Sequence, residues 1–201
     1  MRAVVCHDFD EWSVEEVPRP EPGPGEVLIA VDRVQLSVTE CRLFRGHDIA
    51  HRDAIERQLR DGGARLFGHE FCGEVVEAGE GVDEFAPGDR VYPPGKIPCG
   101  ECGYCRSGFE VYCRDKTQIG YDRPGGLSEF VVQPAEPLRA LPDGVSAAEG
   151  AALQPLASAV LCVADAEIDP GDTVAVIGAG VMGYNCGQLA RIQGADRVFA
   201  I

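Results

Sequence analysis

Lysine is almost absent from this chain: Lys96 and Lys116 are the only two among eighteen basic residues, which face thirty-three acidic ones. The formal charge is −15 over 201 residues. A polyanion of this density repels phosphate backbones and anionic lipid surfaces, so neither nucleic acid nor a membrane is expected as a partner. Long apolar runs are missing as well. No stretch of 18 apolar residues occurs, and the N-terminus MRAVVCHDFDEW has no apolar segment flanked by positive charge, so no membrane span and no export signal are expected. A cytoplasmic location follows. Acidic residues with arginine as nearly the sole cation suit either a high-salt cytoplasm, where screening removes self-repulsion, or a GC-rich genome.

Cysteine, by contrast, is plentiful. Four of the nine stand together in the run PCGECGYCRSGFEVYCRD as Cys99, Cys102, Cys105 and Cys113, at spacing C-x2-C-x2-C-x7-C. Zinc takes four soft ligands at tetrahedral corners about 2.3 Å away, and two-residue gaps on a glycine-containing turn let thiolates converge on one ion. Two disulfides are the competing arrangement, but a reducing compartment favours metal over crosslink for clustered thiols. A closed, structural zinc site within residues 95–116 is the expectation. Cys6, Cys41, Cys72, Cys162 and Cys186 are scattered among mostly apolar or small residues and are expected to be buried, inert thiols.

A hydrophobic content of 45% is enough for a substantial core. The first half reads as short strands separated by turns, at Arg2 to Cys6, Glu26 to Val34, Phe71 to Glu77, Arg90 to Tyr92 and Ser128 to Val132. A stiff connector from Pro18 to Gly25 and the turn Ala86-Pro87-Gly88-Asp89 punctuate them. Many brief strands with Gly and Pro between them suggest a barrel or sandwich. The charged stretch Asp48 to Arg60 is consistent with a short exposed helix or an inserted loop; His47, just before it, and His51 within it are expected as surface histidines, with proton carriage as the other reading.

The pattern changes near Ser146. Ala147 to Val163 carries Ala, Leu and Val at helical spacing despite Pro155. A strand from Thr173 to Ile177 follows, then Gly178-Ala179-Gly180-Val181-Met182-Gly183, a helix through Ala190 and a second strand from Arg197 to Ile201. A G-x-G-x-x-G run that leaves a strand and opens a helix lets the backbone approach a pyrophosphate at the helix's positive end. Gly178, Gly180, Val181, Met182 and Gly183 are the candidate dinucleotide-binding residues. The acidic or basic residue that reads the adenine ribose is expected just after the second strand, past Ile201.

Taken in order, Gly25-Glu26-Val27-Leu28-Ile29, Gly68-His69-Glu70, Gly81-Val82 with Phe85 to Val91, the four-cysteine run, Gly125 to Phe130 and the Gly178 to Gly183 loop cover nearly the whole chain. In this combination the chain resembles the N-terminal part of a zinc-dependent medium-chain alcohol dehydrogenase, the group that also holds sorbitol and threonine dehydrogenases. The resemblance implies a fold in two parts: a GroES-like, β-rich catalytic domain over residues 1–146 with its zinc lobe at 95–116, then the start of a Rossmann domain, a doubly wound parallel α/β sheet, over 147–201. It implies hydride transfer between an alcohol, polyol or amino-alcohol CH–OH group and NAD or NADP. A small alcohol or ketone is then the partner, with a homo-oligomer at full length.

In that family a catalytic zinc is held by a cysteine preceding a Thr/Ser-Asp pair, by the histidine of Gly-His-Glu and often by the glutamate beside it. His69 and Glu70 match the last two, and Thr39 matches the hydroxyl that relays the proton. The chain departs at the cysteine. With Thr39-Glu40 set on the Thr/Ser-Asp pair, Ser37 takes the cysteine's place, Cys41 comes four residues later, and Gln154-Pro155-Leu156 stands where the sorbitol and threonine dehydrogenases have Glu-Pro-Leu. The implied catalytic zinc thus loses a thiolate and a carboxylate, which weakens it. Two other readings accompany this one: a zinc-free reductase of the same family, and a truncated, non-catalytic zinc-binding fragment.

Overall fold

The computed structural model describes residues 1–47, 52–60 and 67–201, which divide into two units, Met1–Ala151 and Ala152–Ile201. In the first unit β1 (Arg2–Asp8) turns back through Asp10, at φ 62°, and pairs antiparallel with β2 (Glu11–Glu16). Aspartate tolerates that left-handed backbone because its short side chain bonds locally. The strand β2 escapes sequence reading because Glu-Trp-Ser-Val-Glu-Glu has too few apolar residues to stand out, and Val14 in it is exposed.

Five further strands make one antiparallel sheet: β3 (Glu26–Gln35), β4 (Glu70–Ala78), β5 (Arg90–Tyr92), β8 (Phe130–Pro134) and β9 (Arg139–Ala140), in the order β8-β3-β4-β5-β9. Val27, Ile29, Phe71, Val75, Val91 and Val131 form its buried face. Between β5 and β8, the pair β6 (Lys96–Ile97) and β7 (Thr117–Gln118) closes the neck of the cysteine lobe. The expected strand at Ser128 to Val132 begins two residues later, because Ser128 is occupied in a bridge to Ala3 of β1.

Helices α1 (Val38–Phe44) and α2 (Arg52–Arg60) cover a second core of Cys6, Leu43, Ile55, Phe67 and Tyr121, with Trp12 stacked on Phe67 at 3.9 Å between ring centres. Of the stretch expected as a short exposed helix or an inserted loop, Arg52–Arg60 is helical but not wholly exposed, since Ala54 and Ile55 are buried, while residues 48–51, His51 among them, lie outside the described residues. Short helices α3 (Gly103–Arg106) and α4 (Ala147–Ala151) complete the unit. Among the described residues no helix is long and apolar enough to cross a membrane.

In the second unit α5 (Leu153–Ala164) is followed by β10 (Thr173–Val176), α6 (Val181–Gln193) and β11 (Arg197–Ala200), with β10 and β11 parallel. The single helix expected over Ala147 to Val163 is split before Leu153. Starting anew there places Pro155 in the first turn of α5, where its missing N–H would have had no helical partner. Two thiols expected to be buried, Cys41 and Cys162, are exposed. Cys41 sits on the face of α1 opposite the buried Leu43.

The charge imbalance yields a solution prediction. Screening shortens the reach of each exposed carboxylate from about 10 Å at 0.1 M salt to about 3 Å at 1 M, so the melting temperature is expected to rise by about 5 °C or more between those conditions. A flat or falling thermal curve with added potassium chloride would contradict it.

Candidate functional site

The cysteine lobe is the most fully assembled site. Cys99, Cys102, Cys105 and Cys113 bring their sulfurs within 4.8 Å of one another, with Cys99 to Cys105 at 3.9 Å and Cys102 to Cys105 at 3.5 Å. A tetrathiolate zinc with bonds of about 2.3 Å places its sulfurs about 3.8 Å apart, whereas a disulfide needs about 2.05 Å. The spacing fits the metal and not the crosslink. Backbone N–H groups of Cys99 and Cys102 point at the sulfurs of Cys113 and Cys99, both at 3.4 Å, as donors do toward thiolates. The crowding splits the acidities: hydrogen bonds, first from the Cys105 backbone, pull the Cys102 thiol down to about 7, while burial first of all pushes Cys105 up to about 12. A cation resolves that conflict by letting all four ionise. Among the described residues this is the one cluster of three or more metal-ligand side chains.

The second site lies where α1 meets the start of β4. Ser37 caps α1: its hydroxyl accepts from the Glu40 N–H at 3.1 Å, and the Glu40 carboxylate accepts in return from the Ser37 N–H at 2.9 Å. This is a capping box. Glu40 is only 1% exposed, and its other oxygen receives the Gly68 N–H at 2.6 Å, the His69 N–H at 3.2 Å and the His69 ring at Nδ1 at 3.1 Å. Burial opposes its ionisation, but the bonds from His69, Ser37 and Gly68 outweigh it and hold the carboxyl below the usual range. Gly68 is required by the neighbouring Gly126-Leu127 backbone. It sits at φ +95°, where a Cβ would lie 2.6 Å from the Leu127 nitrogen.

His69 is thereby fixed at Nδ1 and presents Nε2 toward Glu70 Oε1 at 3.5 Å. Glu70 is itself held by Gln35 Nε2 at 2.5 Å, and burial pushes its carboxyl upward against that bond. The Tyr121 hydroxyl lies 3.2 Å from His69 Nδ1 and is hydrogen-bonded to the Ser37 side chain. Burial raises the pKa of that phenol, so it stays protonated. Thr39 sits half-buried in the first turn of α1 and makes no side-chain hydrogen bond to the described residues. Sequence reading overlooked Glu40 as a structural hub and Tyr121 altogether. A capping-box signature, Ser37 followed three residues later by Glu40, was the available signal for the first; nothing local marks the second.

The third site belongs to the second unit. The loop after β10 passes through Gly178 at φ +101°, and α6 begins at Val181 with Gly180 as its cap, no capping side chain and no acidic residue in its first turn. The glycines differ in what constrains them. A Cβ on Gly183 would lie 1.7 Å from the Gly178 carbonyl oxygen, whereas one on Gly180 would meet nothing within 4 Å. Packing accounts for Gly183, whereas the backbone at Gly180 is left open.

These features have counterparts in known proteins. Residues 23–143 match the family model of the alcohol dehydrogenase GroES-like domain. An L-threonine 3-dehydrogenase of Chelativorans sp. is 35% identical over 200 residues, 98% of this chain and 56% of that protein. A sorbitol dehydrogenase of Halalkalibacterium halodurans is 34% identical, covering 96% of this chain and 54% of that one. Among solved structures, a Sinorhizobium meliloti protein described as a zinc-binding dehydrogenase bound to NADP superposes with a TM-score of 0.84 at 35% identity, over 99% of this chain and 55% of that chain. The chain thus spans about half the length of the curated relatives it matches. With its GroES-like sheet, its four-cysteine zinc lobe and the opening of a parallel nucleotide-binding sheet, this chain belongs to the zinc-dependent medium-chain alcohol dehydrogenase family.

Proposed function

We propose that the full-length protein is an NAD(P)-dependent oxidoreductase acting on the CH–OH group of a small alcohol, polyol or amino alcohol, or on the matching ketone. Residues 1–151, α4 included, would form the catalytic domain and 152–201 the first part of the nucleotide-binding domain, a boundary five residues later than the resemblance implies, with a homo-oligomer as the working form. Gly180 carries the reading: a glycine that no neighbour requires, at the head of a helix whose first N–H groups are left uncapped. That geometry suits a pyrophosphate, with the backbone at Val181, Met182 and Gly183 donating to its oxygens. The nicotinamide cofactor supplies the hydride acceptor or donor when bound. In the first unit His69, Glu70 and the hydroxyls near them, Thr39 included, are the groups proposed to hold the substrate oxygen and pass its proton toward water.

Two glycine variants test the cofactor half. Gly180→Ala is expected to weaken NADP or NAD binding at least about tenfold, some 1.4 kcal/mol, with little change in stability because its Cβ has room. Gly183→Ala is expected to destabilise the unit by about 2–3 kcal/mol, because its Cβ would strike the Gly178 carbonyl. Isothermal titration and chemical denaturation of full-length protein measure both. Undiminished dinucleotide affinity in Gly180→Ala would remove the main support for the proposal.

A further inference from the structure

A catalytic zinc needs three protein ligands and an open position. The corner between α1 and β4 supplies two. His69 Nε2 and Glu70 Oε1, 3.5 Å apart, are spaced as adjacent ligands of one ion would be, about 3.3 Å for bonds near 2.05 Å. Among the described residues of this unit, the neighbouring candidates are already committed or turned away. Ser37 is neutral, and its hydroxyl caps α1 and bonds to Tyr121. Glu40 spends both oxygens on four hydrogen bonds at 1% exposure. Cys41, the nearest thiol in sequence, is exposed, and its backbone is tied into α1 through the bond from its N–H to the Ser37 carbonyl. In sequence alone, the position where the resemblance implies a carboxylate holds Gln154, a neutral amide.

We infer that the His69 corner binds no zinc tightly and that the protein carries a single zinc per chain, the one held by Cys99, Cys102, Cys105 and Cys113. The donor set decides this. Two ligands, one of them a carboxylate already held by Gln35, leave the ion without the anionic shell that a thiolate at position 37 would complete. An alcohol or carbonyl oxygen reaching this corner meets hydrogen-bonding groups instead: the His69 imidazole, the Glu70 carboxyl and the Tyr121 hydroxyl. Its bearing on hydride transfer rests on the dehydrogenase reading above, but the metal count does not.

The test is zinc per chain, measured by plasma mass spectrometry on full-length protein equilibrated with zinc and then desalted. About one equivalent is expected in the wild type and again in His69→Ala, the number that one closed four-ligand site accounts for. Two equivalents in the wild type, or the loss of one on changing His69, would overturn the inference. Ser37→Cys is expected to raise the count to about two by adding the missing thiolate. A count that stays at one in Ser37→Cys would overturn the role assigned to Ser37. NADP affinity of the same samples reports separately: lost binding beside a single zinc would sink the dehydrogenase reading and leave the metal inference standing.

Discussion

Cys113→Ser is expected to empty the lobe of its zinc and to unravel residues 98–116 while leaving the five-stranded sheet folded. The lobe has almost nothing else to hold it. Of its side chains only Cys105 and Cys113 are buried, whereas Tyr104, Phe109, Val111 and Tyr112 are exposed. Its neck is a two-residue pairing of β6 with β7, anchored to the sheet's core through Ile97 and Ile119. A ligand present at about a thousand times its dissociation constant contributes about 4 kcal/mol to the state that binds it, and that contribution disappears with the fourth thiolate. The readouts are zinc content and limited proteolysis, with cleavage expected between the β6 and β7 strands. Cys162→Ser, on the exposed face of α5, is the control and should change neither. Full zinc content in Cys113→Ser would contradict the tetrathiolate assignment.

Glu40→Ala should cost about 3–5 kcal/mol, the range seen when one member of a buried charged network is removed and its partners are left without acceptors. Three backbone N–H groups, those of Ser37, Gly68 and His69, lose their partner at once, and the His69 ring loses what fixes it. Glu40→Gln keeps one carbonyl oxygen but sets an NH2 against donors, for an expected cost of about 1–3 kcal/mol. Denaturant unfolding separates these values from the much smaller loss expected for Glu149→Gln, whose capping box with Ser146 is exposed to water. Near-equal stability of Glu40→Ala and Glu149→Gln would show that the buried network contributes little.

Both results bear on what could be read from the chain as written. Cys99 to Cys113 announce themselves because ligand spacing across a separation of 14 residues is a local property, and the same holds for the strand, glycine loop and helix at Thr173 to Gln193. The edges fared less well. The strand β2 is nearly devoid of apolar signal, the helix over 147–163 is two helices, and Cys41 proved exposed although its neighbours gave no hint of which helix face it would occupy.

The chemistry around His69 lies at the other extreme. Its contacts join residues 28 positions apart, from Glu40 to Gly68, and 52 apart, from His69 to Tyr121, and no periodicity links such positions. Spacing and residue type alone determined that this protein gathers four thiolates and turns tightly before a helix, since each depends on a few bonds along one stretch of backbone. Only the packed fold decided that Ser37 and Glu40 are consumed in capping and pinning, because a side chain's availability depends on which distant donors the core presses against it.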